Sequence, residues 1–458
     1  MDNMRELALD VLFEILEKGG YSHLVIRNVL DKYDYSDPRN KAFVKRVTEG
    51  TIERLIQIDY VLGQFSKVPV GKMKPLIRTL MRMSVYQLLF MDQIPDAAIC
   101  NEAVKLSGKR GFRGLSGFVN GVLRNIARNR GNIQYPDKSK EWKKSLSVSY
   151  SMPEWLIDFW QEAYGRETME KLVEGLFCEH PVTVRVKKDL AGKQKEAWIQ
   201  ELLKEGIGAS RHPYHACAYR LSGALNVKKL PGYGEGLFVV QDVSSMLAVE
   251  AAGIALENAE ETEESLLVMD VCAAPGGKTM HMAEKLGKRG RVYAFDLTEY
   301  KVTLIRDNIK RMGYENVEVH QHDASIPEPS FFGRADVVLA DLPCSGLGTM
   351  GKKRDVKYRA TKESMEELTG IQKKILDVVW KYVKPGGVLI YSTCTLNPKE
   401  NEQMVSWFTE RFPFRLDDLS PYLPKALSGE GKEGMLQLFP GVHESDGFFI
   451  ARMIRDKA

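Results

Sequence analysis

A chain of 458 residues is too long for a single growing hydrophobic core, so two or three domains are expected. Its 44% apolar and 28% charged residues are ordinary for a soluble globular protein. Neither a secretory leader at Met1-Asp2-Asn3-Met4-Arg5-Glu6 nor an apolar run of the ~20 residues a bilayer requires is present, which points to the cytoplasm and away from membranes. The net charge of +4 is small, but residues 101–150 carry eleven Lys or Arg against three Asp or Glu. That asymmetry suits contact with a polyanion as well as it suits a solvated helix face.

Up to about residue 130 apolar residues recur at helical spacing, as in Leu7, Val11, Leu12 and Ile15 and again in Leu80, Val85, Leu88 and Leu89. The pattern predicts an all-α domain over residues 1–135. Arg128 to Asp137 is polar and turn-rich and reads as a linker. Residues 145–235 mix helix with alternating strand, as at Val182-Thr183-Val184-Arg185-Val186, and predict a small α+β module. From residue 236 to 458 strands and helices alternate. Strands are expected at Leu266–Cys272, Arg291–Asp296, Val317–His320, Asp336–Ala340 and Val388–Thr393. A long helix is expected from Glu363 to Lys384, stopped by Pro385-Gly386-Gly387. Such strands, nearly continuous apolar runs, belong to a doubly wound α/β sheet with ligands beyond the carboxyl ends of its strands.

The first strand of this last domain runs into Cys272-Ala273-Ala274-Pro275-Gly276-Gly277-Lys278-Thr279 and then a helix. Glycines let a backbone approach a ligand, and a helix start offers free amide donors. The next strand ends at Asp296, where an acid can grip a ribose, and the third leads to Asp323. Cys272 stands where a P-loop wants glycine, and the GxGxxG of a nicotinamide site is missing. The ribose-gripping acid fits a dinucleotide and S-adenosylmethionine alike, and an ordinary β-turn-α junction stays open.

The six cysteines include no CxxC pair, so neither a zinc site nor another metal is expected, and a reducing cytosol argues against a disulfide framework. Two of them stand apart. The fourth strand ends in Asp341-Leu342-Pro343-Cys344-Ser345-Gly346 and the fifth in Tyr391-Ser392-Thr393-Cys394-Thr395, so both thiols leave the edge that carries the glycine loop. A thiolate adding to carbon 6 of a pyrimidine makes carbon 5 nucleophilic enough to take a methyl group. The addition needs charge neutralised at N3, which a protonated Asp341 could do, and a base must then remove the carbon 5 proton. Spacing brings both thiols to the site without saying which attacks.

These residues, with Gly236-Leu237-Phe238-Val239-Val240-Gln241-Asp242 and Leu438-Phe439-Pro440-Gly441-Val442-His443-Glu444-Ser445-Asp446-Gly447-Phe448-Phe449, resemble the Nol1/Nop2/Sun group of RNA cytosine-C5 methyltransferases. Pro95 to Val104 and Gly117 to Asn125 resemble a NusB-type helical RNA-binding domain. A NusB-like head on such a catalytic domain is the architecture of the bacterial 16S rRNA (Sun/Fmu) branch. The resemblance implies a class I, Rossmann-like methyltransferase domain. S-adenosylmethionine would be held by Cys272, Ala273, Ala274, Pro275, Gly276, Gly277, Lys278, Asp296, Asp323 and Asp341. It makes Cys394 the nucleophile and Cys344 the cysteine of product release, with a cytosine of small-subunit rRNA as the target and a monomer as the working state. Lys301, where many members have arginine, and Arg185-Val186-Lys187, where they have Arg-Val-Asn, depart from the pattern. The run Lys352, Lys353, Arg354, Lys357 and Arg359 is expected to touch phosphates, with Tyr358 stacking on a base. The alternatives are a tRNA cytosine methyltransferase, a non-catalytic NusB-like assembly factor, and a DNA methyltransferase attacking through its Pro-Cys motif.

Overall fold

The computed structural model describes residues 4–32, 37–178, 181–190, 192–223, 226–254 and 265–457. The chain divides into two compact units, one of residues 1–177 with 352–359, the other of residues 178–351 with 360–458.

The first unit is all-helical. It comprises α1 (Met4–Leu16), α2 (Ser22–Lys32), α3 (Pro38–Glu53), α4 (Leu55–Phe65), α5 (Pro75–Phe90), α6 (Asp96–Lys109), α7 (Ser116–Arg128), α8 (Trp142–Tyr150) and α9 (Glu154–Phe177). Proline occupies the first turn of α3 and of α5, where no intrahelical donor is lost, and Asp37 caps α3 by accepting from Arg39 N. The apolar periodicity read from the sequence lines one core, with Leu9, Leu12, Ile58, Leu80 and Leu123 fully buried. Residues 128–137 are no free linker: Gln64 and Gln134 exchange two hydrogen bonds, Tyr135 stacks on Tyr60, and Arg130 pairs with Asp96 at 2.7 Å. Polar, turn-rich composition describes a packed loop as well as a linker.

The segment Lys352–Arg359, with the short α14 (Val356–Arg359) as its end, is part of this helical unit although the flanking chain is not. Arg354 pairs with Glu49 and Glu53, and the buried Lys357 donates to the carbonyls of Glu53 and Tyr150. The Tyr358 hydroxyl donates to the Glu53 and Ser151 carbonyls, while Arg359 reaches Gly19 O and Gly20 O. Asp355 accepts from Ser22 N and Oγ. This corrects the phosphate-contact expectation: Arg354, Lys357 and Arg359 are engaged inside the protein, Tyr358 is not free to stack, and Lys352 alone of the five cations is exposed.

The second unit opens with β1 (Val182–Val186), α10 (Gly192–Lys204), β2 (Gly208–Arg211), β3 (Ala218–Ser222) and β4 (Phe238–Val240). The four strands form an antiparallel sheet in the order β2-β3-β1-β4 over a core of Trp198, Tyr219 and Phe238. After α11 (Val243–Glu250) come β5 (Leu266–Asp270), α12 (Gly277–Leu286), β6 (Gly290–Asp296), α13 (Glu299–Met312), β7 (Val317–Gln321) and β8 (Ala335–Asp341). The chain then runs through α15 (Lys362–Val379), β9 (Val383–Thr393), α16 (Glu402–Arg411), β10 (Phe414–Leu416), β11 (Met435–Leu438) and β12 (Phe448–Arg455). The sheet order is β10-β12-β9-β8-β5-β6-β7, with β11 on β12. Strands β9, β8, β5, β6 and β7 are parallel, and β12 runs antiparallel to β9. From β5 the chain winds outward to β6 and β7, then crosses back to β8 on the other side. The crevice of a doubly wound sheet opens at that reversal, beyond the carboxyl ends of β5 and β8.

One expected boundary moves. Helix α15 ends at Val379, and Pro385-Gly386-Gly387 lies inside β9 instead of stopping a helix. Val383 pairs with Ala335, the register shifts, and pairing resumes at Val388, so these residues form an irregularity that spares the ladder.

Candidate active site

Gly276, whose φ of 98° suits glycine, is the N-cap of α12, and among the described residues no side chain caps the helix, which leaves its first amides as donors for a ligand. The loop Cys272–Gly276 before it is tied to the next strand by Asp296, which accepts from Ala274 N at 2.9 Å and Leu297 N at 2.8 Å. Lys301 pairs with the same carboxylate at 2.9 Å, so lysine serves in place of arginine. Asp323 closes a turn by accepting from Ser325 N and Oγ, which holds its carboxyl below the usual range. Beside it Val271, Phe295, His322 and Ala324 line a small cavity. The Cys272 thiol is pushed up by burial and stays a thiol. Carboxylates at the ends of β6 and β8, Asp323 after β7 and uncapped helix amides make a donor and acceptor set that fits a ribose and an adenine, with a charged amino-acid tail.

Asp270, at the end of β5, accepts from Thr279 Oγ1 at 2.7 Å and pins the start of α12 to the strand. Burial pushes its carboxyl up to about 7 against that hydrogen bond. In the sequence it reads as one more strand-end residue, with nothing to set it apart.

The two thiols meet. Strands β8 and β9 are neighbours, with Asp341 opposite Ser392, and the Cys344 and Cys394 sulfurs lie 3.4 Å apart. The backbones close around them: Gly348 N donates to Cys394 O, and Gly447 N donates to Gly348 O. A Cβ on Gly348 would stand 1.9 Å from Gly447 O, so both loops need glycine for this approach. The hydrogen bond to Cys394 and burial push the Cys344 thiol well up, so it keeps its proton, and either sulfur can be the donor in the contact between them.

Asp341 accepts from Lys278 Nζ at 2.6 Å and from Ser392 Oγ at 2.8 Å. With an ammonium on one oxygen and a hydroxyl on the other, it is an acceptor, which corrects the expectation of a protonated carboxyl donating to N3. Burial by itself would lower the Lys278 ammonium, but Asp341 holds it above its usual value, and its charge is felt by Cys394 as well. Lys278 pairs with Asp341 and lies 5.2 Å from the centre of the Phe448 ring.

His443 is structural, with Nδ1 accepting from Phe439 N and Nε2 facing Glu430. His215, Glu250 and His281 bring three potential metal-ligating atoms within 4.8 Å of one another. Their surroundings suit a hydrogen-bonded cluster better than a cation. Lys285 already sits 2.6 Å from Glu250, and the Arg185 charge lies near His281. Cys217 N donates to His215 Nδ1, which leaves the proton on the Nε2 that would have to ligate.

The chain is similar to known proteins over nearly its whole length. A family model for the 16S rRNA methyltransferase RsmB/F matches residues 254–454, one for the NusB family residues 2–128, and one for an RsmF/B-like ferredoxin-like domain residues 152–228. The probable ribosomal RNA small subunit methyltransferase B of Bacillus subtilis is 33% identical over 98% of both chains. The chain belongs to the RsmB/F methyltransferase family. A ribosomal RNA small subunit methyltransferase B of Klebsiella pneumoniae is 30% identical over 99% of this chain and 98% of its own. The crystal structure of PH0851 superposes with a TM-score of 0.78 at 27% identity, covering 98% of each chain. NSun6 from Pyrococcus horikoshii, at 22% identity and a TM-score of 0.55 over 67% of this chain and 99% of its own, shares the fold. As an RsmB/F methyltransferase the chain uses S-adenosylmethionine, for which the crevice described above has the donors and acceptors. No helix among the described residues is long and apolar enough to cross a membrane.

Proposed function

We propose that this RsmB/F methyltransferase modifies carbon 5 of one cytosine in 16S rRNA, with Cys394 as the nucleophile. The observation that carries the reading is the pair of sulfurs 3.4 Å apart at the carboxyl ends of adjacent strands, beside the Lys278–Asp341 ion pair. S-adenosylmethionine supplies the methyl group. Cys394 is the attacking thiol in this reading, because Cys344 holds its own proton while the Lys278 ammonium lies close enough to Cys394 to stabilise a negative sulfur there. The thiolate adds to carbon 6 of the unstacked base, and the ammonium, fixed by Asp341, offsets the charge that develops at N3. Cys344 then serves release, when the carbon 5 proton leaves and Cys394 is expelled. The rRNA assignment is supported by the names of full-length relatives and by a helical head similar to NusB. The working enzyme is read as a cytoplasmic monomer.

The test is methyl transfer to 16S rRNA with bisulfite mapping of rRNA and tRNA from cells lacking the gene. Cys394→Ala should abolish transfer, and Cys344→Ala should accumulate a covalent protein–RNA adduct. An adduct that persists in Cys394→Ala and vanishes in Cys344→Ala would reverse the two roles, and loss of a tRNA mark with rRNA intact would remove the rRNA assignment.

A further inference from the structure

Glu400 is fully buried, and among the described residues no lysine, arginine or histidine is paired with it. A carboxylate in such a place must have its charge satisfied by hydrogen bonds. Four donors do so. One oxygen accepts from Ser345 Oγ at 2.5 Å and Asn397 Nδ2 at 2.8 Å. The other accepts from Ser345 N at 2.9 Å and Gln372 Nε2 at 3.0 Å. Ser345 follows Cys344 directly, and its hydroxyl also lies 2.6 Å from Thr395 Oγ1, which follows Cys394 directly. Because the Ser345 proton goes to Glu400, the Thr395 hydroxyl is the donor in that contact. The Glu400 carbonyl is itself fixed by the Tyr391 hydroxyl at 2.5 Å, and Gln372 Nε2 also donates to Pro343 O, the residue before Cys344. Neighbouring Asn401 binds Thr393 Oγ1 and Thr395 O from the other side.

We propose that Glu400 is a positioning residue that clamps the Cys344 and Cys394 loops together and sets the distance between their sulfurs. The inference deepens the two-thiol reading and rests on it for its catalytic meaning. Its geometric content stands apart from that reading, because the loops meet on this carboxylate whatever chemistry the thiols do. The charge of Glu400 also contributes to holding the Cys344 proton. Glutamine at position 400 keeps one acceptor oxygen but turns an amide NH2 toward two of the four donors, so the clamp is half lost with little change in volume.

The experiment measures two things on the full-length protein carrying Glu400→Gln, with Ser345→Ala as a second variant that removes one of the four donors to Glu400 and the acceptor for Thr395 Oγ1. The first is the rate at which diamide closes a Cys344–Cys394 disulfide: the two thiols lose two protons and two electrons, and the azo bond of diamide takes them up to become a hydrazine. This rate needs no RNA and no turnover. It should fall at least about fivefold in Glu400→Gln and less in Ser345→Ala, since small displacements of reacting atoms carry large rate penalties. The second is methyl transfer, where kcat should fall about 10- to 100-fold with KM for S-adenosylmethionine within about twofold, because the cofactor crevice is built by other residues. A disulfide rate equal to that of the parent protein in both variants overturns the clamp. A KM for S-adenosylmethionine that rises in step with the loss of kcat also overturns it, since the damage would then be general. If disulfide closure slows while kcat is unchanged, the clamp is real, and the two-thiol reading fails.

Discussion

Lys278, mostly buried, and Lys357, buried, stand one in each unit, and the protein treats them oppositely. Lys278, on the first turn of α12, donates to Asp341 and is held above its ordinary value despite burial. Lys357 donates only to the carbonyls of Glu53 and Tyr150, has Arg354 and Arg54 near it, and is driven down to about 7 by burial. A carboxylate in direct contact keeps a buried ammonium charged, whereas carbonyl dipoles with like charges nearby do not. Position follows the same division. The charged lysine lies near the Cys394 thiol at the open end of a sheet, and the lysine that is easily discharged fills the interior of a helical unit. A perturbed lysine thus marks a reactive site only where a reactive partner shares its surroundings.

The strongest way to break this contrast is at Lys278. Lys278→Met keeps the stem against Phe448 but removes the charge, and kcat should fall about 10²- to 10³-fold in a methyl-transfer assay, the usual cost of one preorganised charge. The variant also leaves Asp341 unpaired. Adding Asp341→Asn should therefore restore thermal stability without restoring turnover. A double variant with near-normal kcat would show that the ammonium has no part in the chemistry.

His281 sharpens the rule from inside the same helix, one turn beyond Lys278. It too has a direct carboxylate partner, Glu250 at 3.2 Å, yet burial and Arg185 drive it from its ordinary 6.5 down to about 3. Burial would raise the Glu250 carboxyl, but His215, His281 and Lys285 together hold it well below its ordinary range. The two shifts pull apart on whether His281 is protonated. The neutral imidazole is the better reading, because Lys285 at 2.6 Å already supplies the carboxylate's counter-charge. A histidine whose folded value is depressed contributes stability above pH 6.5 and loses it as pH falls toward about 3, because only the unfolded chain takes the proton there. The slope attributable to one such group is about 1.4 kcal/mol per pH unit. His281→Gln, which keeps a donor for Glu250 but cannot charge, should flatten urea-unfolding stability between pH 6 and 4 by up to that amount. An unchanged slope would mean that His281 is protonated in the folded protein.

How much of this was legible in the sequence depended on whether a residue's type settled its surroundings. The strand-end positions of Cys344, Cys394, Asp341 and Asp296 were readable, because apolar runs fix strands and a parallel sheet collects strand ends on one edge. The adjacency of the thiols then followed from strand order. Glu400 was not readable: Asn397-Pro398-Lys399-Glu400-Asn401-Glu402 looks like a solvated polar loop, and only the fold turns Glu400 and Asn401 inward. The run Lys352–Arg359 failed for the mirror reason. Five cations in eight residues suggest a polyanion, but the acceptors that claim three of them lie some three hundred positions earlier or, for Lys357, at Tyr150 as well. Pro385-Gly386-Gly387 reads as a helix stop because local chemistry cannot tell a stop from a break in strand pairing.

The smallest effect expected is at Lys357, and its sign is the informative part. A lysine whose folded value is depressed to about 7 costs the folded state most at and below pH 7, where the unfolded chain holds its proton without penalty. Stability should therefore rise as pH climbs from 7 toward the lysine's ordinary 10.5, where both states lose the charge. Lys357→Met fills similar volume with no charge to bury and should be more stable than the parent by about 1–2 kcal/mol at pH 6, the low end of what such replacements give. The gain should shrink when the same urea titrations are run at pH 9. A variant less stable than the parent at pH 6 would mean that the two carbonyl bonds outweigh the burial of the ammonium, and that Lys357 is as well satisfied as Lys278.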